Sequence, residues 1–103
     1  MLKCGDYESI TVSTTAIGFT ATKLAPVAGD YSGRKAEAVL ITVEDQPVRF
    51  RADGTDPSAA EGHPLLPGDE RYLYWGYQDL LQVKFIRKDA ADAKVKVSYF
   101  YRV

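Results

Sequence analysis

Apolar residues that alternate with a period of two, turn residues at short intervals and the lack of any long helical repeat make this 103-residue chain all-β. Short strands joined in this way build a single-domain antiparallel β-sandwich or a jelly-roll-like barrel, here spanning residues 1–103. A chain of this length folds to roughly 5,800 Å² of accessible surface, which allows one modest core and no second domain.

The elements follow in chain order. The first residues are expected to fray, leaving Cys4 as an inert thiol. Ser9 to Thr22 is rich in Thr, Val, Ile and Phe, a β-prone composition that Gly18 splits into two short strands at a bulge or bend. Ala25 to Arg34 is mostly small and polar and reads as an exposed loop. In Glu37 to Glu44, Val39, Ile41 and Val43 line one side and Ala38, Leu40 and Thr42 the other, which predicts a strand covered on both faces.

After the Asp45-Gln46-Pro47 turn, Val48, Phe50 and Ala52 alternate with Arg49 and Arg51, a half-buried strand with a basic outer row. Ala52 to Gly68 is the longest irregular region, punctuated by Asp53-Gly54, Asp56-Pro57, Gly62, Pro64 and Pro67-Gly68; loops of this length are usually functional or mobile. In a strand starting at Glu70, Tyr72 and Tyr74 share one face and Leu73 and Trp75 the other. Leu81, Val83 and Phe85 then alternate with Gln82 and Lys84, and Asp89 to Asp92 makes a turn; Ala90 to Ala93 is too short for a helix. The clearest strand closes the chain, with Val95, Val97, Tyr99, Tyr101 and Val103 on one face.

Charge and composition narrow the function. Thirteen basic against fourteen acidic side chains argue against holding nucleic acid by phosphate neutralisation. No apolar run approaches the roughly 18 residues of a membrane span, and the N-terminus lacks a signal-peptide layout, so no membrane partner is expected. One Cys excludes an internal disulfide, so Cys4 is either a reduced thiol or an intermolecular partner. His63, the single imidazole, sits in the turn-rich Gly62-His63-Pro64 context, and no motif joins it to a Ser or Cys nucleophile. One Cys and one His cannot close a zinc site, and Asp53, Asp56 and Glu61 do not have EF-hand spacing, so no metal is expected. Gly54, Gly62 and Gly68 are isolated and make no phosphate loop, and no cofactor is predicted. A paired-carboxylate mechanism needs a cleft that a chain this short rarely builds beside a β core, and the sequence predicts no enzyme.

Two features remain as candidate interfaces. Tyr72, Tyr74, Trp75 and Tyr77 fall within six residues and serve as core, as protein-binding anchors or as a sugar-stacking platform. Arg49 and Arg51, with Lys94 and Lys96, form basic rows that either keep strands soluble and protect edges or dock on an acidic partner. Residues 79–103 carry six basic and three acidic side chains while 34–78 carry five and eight, an asymmetry that suits contacts between neighbouring copies.

The order of elements from Ala36 to Tyr101 resembles small phage virion proteins. The resemblance runs through Val39-Leu40-Ile41-Thr42-Val43, the block Arg49-Phe50-Arg51-Ala52-Asp53-Gly54-Thr55 with Pro57, the Gly62-His63 turn, Leu66-Pro67-Gly68-Asp69, Val83 to Arg87 and the closing Val95 to Tyr101 strand. It implies a capsid decoration (cement) protein on the head surface, assembled in the host cytoplasm. The implied partners are the major capsid protein or other virion proteins, with a homo-oligomer, commonly a trimer. The aromatic Tyr72 to Tyr77 run departs from the polar loop expected there and leaves open a carbohydrate- or receptor-binding module of a phage tail or fibre.

Overall fold

A computed structural model describes residues 1–103 and arranges them as two antiparallel sheets packed face to face. In chain order the elements are β1 (Leu2–Val12), α1 (Ala21–Leu24), β2 (Ala36–Glu44), β3 (Val48–Arg51), β4 (His63–Leu65), β5 (Glu70–Leu73), α2 (Tyr77–Leu80), β6 (Lys84–Arg87) and β7 (Ala93–Arg102). The larger sheet has the order β1-β7-β2-β5 and the smaller one β4-β3-β6. The expected all-β sandwich is therefore the fold, with an accessible surface of 5512 Å².

β7 is central because its alternation is strictest. Ala93, Val95, Val97, Tyr99 and Tyr101 are wholly buried between the sheets, and Lys94, Lys96, Ser98 and Phe100 point the other way. Val103, expected on the inner face, lies past the strand end and is half exposed. β2 fits beside β7 with a bulge between Ala36 and Ala38, so that Ala36 and Val39 both face the core and Ala38 lies under Phe100. The expectation that β2 is covered on both faces is corrected here: Leu40 and Thr42 are only half-buried, because no layer packs on the outside of the larger sheet.

The N-terminus departs furthest from expectation. β1 starts at Leu2 and pairs with β7 as far as Val12, and the Val103 N–H donates to the Met1 carbonyl at 3.0 Å. Its polar sequence hides a strand because Glu8 and Asp6, which face inward near the sheet edge, find partners there. Tyr99 donates its hydroxyl to Glu8, Thr20 donates to the same carboxylate at 2.7 Å, and the Lys23 ammonium contacts Asp6 at 3.0 Å. The expected second strand before Thr22 does not form. Instead the chain crosses to the smaller sheet, where Ile17 and Phe85 exchange backbone bonds of 3.0 and 2.8 Å along the free side of β6. Gly18 does not mark the bend, which falls at Thr14 and Thr15; it allows a close approach instead, since a Cβ there would lie 2.8 Å from the Val83 carbonyl oxygen.

Two single-turn helices also escape sequence reading, because one turn carries no periodicity. Each inserts one leucine into the core, Leu24 from α1 and Leu80 from α2. α2 also displaces the expected strand: Leu81 is exposed and the ladder begins only at Lys84.

Gly5 sits at the β1 bulge, directly beneath Tyr31 and Tyr101, whose rings stack at 4.9 Å. A Cβ would lie 2.6 Å from Tyr31 and 2.9 Å from Tyr101. Gly5→Ala is therefore expected to cost about 1–3 kcal/mol by overpacking, or roughly 5–20 °C in a thermal melt. An unchanged melting temperature would show that the tyrosine stack yields freely.

The buried phenols also set a pH limit. Burial pushes the Tyr101 hydroxyl up to about 12, reinforced by the nearby Asp6 and Cys4 side chains, and the group donates to the Lys23 carbonyl at 2.5 Å. Burial, with the Glu8 hydrogen bond and charge, raises Tyr99 further still. A pKa raised in the folded state gives stability that is complete below the ordinary value of 10.0 and lost as pH climbs through the folded values. Urea midpoints should hold steady up to that pH and then fall, together with the appearance of phenolate absorbance. The Tyr99→Phe variant should lose part of this alkaline slope, and an unaltered slope would refute the assignment.

Candidate functional site

The outer face of the larger sheet is built by register. Cross-strand pairing aligns Tyr7, Ser98, Leu40 and Tyr72 in one row and Cys4, Phe100 and Ala38 in the next. Tyr72 packs edge-on against Phe100 at 5.5 Å and against Tyr74 at 6.4 Å. Tyr7, Tyr72 and Tyr74 keep 55%, 50% and 56% of their surface exposed. One half of this face is thus aromatic and aliphatic, with no further layer over it.

The other half is polar. Further rows hold Ser9, Lys96, Thr42 and Glu70, then Thr11, Lys94 and Glu44. Lys94 and Lys96 donate to Thr11 and Ser9 at 2.9 and 3.0 Å. At the aromatic end, Arg102 forks onto Glu37 at 2.5 and 3.0 Å and reaches the Tyr74 hydroxyl at 3.2 Å. Arg102, through the fork onto Glu37 and its charge, holds the Glu37 carboxyl below its ordinary range. It also pins Tyr74 at the rim.

The six sequence candidates do not form one site. Tyr72 and Tyr74 share the outer face as the alternation predicts. Leu73 points into the core and Trp75, on the same side, surfaces at the open edge between the two sheets near Phe50, 6.5 Å away. Tyr77 packs against the core with the Lys35 ammonium 5.1 Å over its ring. Arg49 donates to the Ala59 and Gly62 carbonyls, each at 2.9 Å, and so staples its own loop. Arg51 is held by Asp53 at 3.1 and 2.5 Å, and its hydrogen bond lowers the Asp53 pKa. Both arginines lie on β3 and both lysines on β7, which are inner strands, so edge protection is not what these basic rows do.

Sequence reading missed Tyr7 and Phe100 as parts of the aromatic face. The bulge at Gly5 breaks the alternation of β1, and Phe100 reads as the polar side of β7. His63 and Cys4, the conventional nucleophile-base candidates, lie on strands of different sheets. No group of three or more His, Cys, Asp or Glu side chains could hold a metal ion, and no buried side-chain polar atom lacks a partner. No helix is long and apolar enough to cross a membrane. No protein family, curated protein or solved structure matches this chain.

Proposed function

We propose that this chain is a small structural protein of a phage virion, a capsid decoration protein that docks on the head shell through the outer face of its four-stranded sheet. The observation that carries this is the gathering of Tyr7, Leu40, Phe100, Tyr72 and Tyr74 on one uncovered sheet face. Tyrosines offer large contact area at small entropic cost, and a hydrogen-bonded sheet presents them already ordered. The sequence resemblance supplies the virion setting and the capsid partner. The polar half, with Lys94 and Lys96 beside Glu44 and Glu70, gives the contact a charged rim that fixes its orientation. A homo-oligomer, a trimer by the same resemblance, multiplies a modest interface into tight attachment.

The test is direct. Purified protein should form a discrete oligomer by sedimentation and bind expanded, decoration-free shells saturably at micromolar concentration. A monomer that leaves such shells bare would overturn the proposal.

A further inference from the structure

We propose that the open edge of the sandwich between β4 and β5 is a binding site for a neutral saccharide, with Trp75 as its stacking platform. This site is separate from the aromatic sheet face and does not depend on the docking role.

The opening follows from unequal layers. β4 has only three residues and the smaller sheet one strand fewer than the larger, so the inner side of β5 and its continuation is incompletely covered. Phe50 stays half-buried and Trp75 is 40% exposed. The gap has a volume of about 450 Å³, and Phe50, His63, Pro64, Leu65, Arg71 and Trp75 line it. It shares Ala52 and His63 with an adjoining depression of about 500 Å³ walled by Arg51, Asp53 and Glu61. The two depressions meet at Ala52 and His63, which sets an apolar aromatic floor next to a polar wall.

Three observations select the occupant. First, the charges cancel, two arginines against two carboxylates, so the groove favours no net charge on its ligand. Secondly, the polar wall is made of planar groups. Asp53 and Arg51 are locked fork to fork, while the Glu61 carboxylate and the His63 ring make no side-chain hydrogen bond within the chain. Such planar donors and acceptors match vicinal hydroxyl pairs, and an indole face matches the C–H face of a pyranose. Thirdly, a peptide adding as a strand is disfavoured, because Pro64 in the middle of the β4 edge has no N–H to offer.

The wall is also preorganised. Arg49 ties Ala59 and Gly62 to β3, and Gly62 adopts φ 138° in a space where a Cβ would meet Pro57 and the Phe50 carbonyl. Little ordering remains to be done on binding.

Trp75 is the sole tryptophan, so fluorescence excited at the long-wavelength edge, where the seven tyrosines do not absorb, reads this groove. Titration with neutral oligosaccharides of glucose, mannose, galactose and N-acetylglucosamine should give a saturable change with at least one of them. Saturation-transfer NMR with that sugar should show Trp75→Ala weakening binding by about tenfold or more, with Glu61→Gln weakening it several-fold and the melting temperature unchanged. Failure of every neutral sugar at millimolar concentration, or full binding by Trp75→Ala, would overturn the site. A Tyr72→Ser, Tyr74→Ser variant should still bind the sugar, which separates this result from the fate of shell docking.

Discussion

Truncating Phe85 to alanine is expected to cost about 3–5 kcal/mol, the largest effect of any single substitution considered for this fold. Phe85 is fully buried in β6 and meets Phe19 edge-on at 5.5 Å and Phe50 at 6.2 Å. Its backbone also carries the two bonds to Ile17 that tie the crossing segment to the smaller sheet. The three rings come from three separately anchored segments, so none can move far to fill the space left behind, and the cavity term is paid almost in full. For a domain of this size the melting temperature should fall by roughly 15–30 °C. Phe85→Leu, which keeps most of the volume, should lose under about 1.5 kcal/mol, and Leu81→Ala on the exposed turn about 0.5 kcal/mol or less. Urea unfolding of the three variants checks the order. A Phe85→Ala loss no larger than that of Leu81→Ala would mean that the two sheets are not joined through this ring.

The second large effect concerns docking. Replacing Tyr72 and Tyr74 together by serine should weaken shell binding by about 30- to 1,000-fold, since central tyrosines at interfaces commonly contribute 2 kcal/mol or more each and do not add simply. The melting temperature should barely move, because both rings lie outside the core cluster and are about half exposed. Tyr77→Ser should behave oppositely: its ring packs on the core beneath Lys35, so stability should fall with little loss of docking. Co-sedimentation with decoration-free shells, alongside thermal melts, separates the two outcomes. Undiminished binding by the double serine variant would remove the outer face from the proposed interface.

Much of the fold was legible because burial imposes a period of two on any strand with one dry face. Residues 93–102 and 39–43 announce themselves in that way, and the turns at Asp45, Gly54 and Gly68, all with positive φ, mark the end of β2, the end of β3 and the approach to β5. β1 before Ser9 was not legible: its inward positions include Asp6 and Glu8, and a carboxylate is tolerated there only because Lys23, Thr20 and Tyr99 arrive from elsewhere in the chain. α1 and α2 are single turns whose meaning lies in one leucine each.

The candidate site divides along the same line. Local alternation already separates Tyr72 and Tyr74 from Leu73 and Trp75, and that much the amino-acid order determined alone. That Tyr7 joins Tyr72 across two intervening strands, that Arg49 is consumed by its own loop, and that Trp75 looks out through a gap between sheets were decided only by the assembled fold. Alternation is a property of neighbouring residues, whereas register and sheet order come from which distant strands bury the most surface together, and no short window of sequence contains that sum.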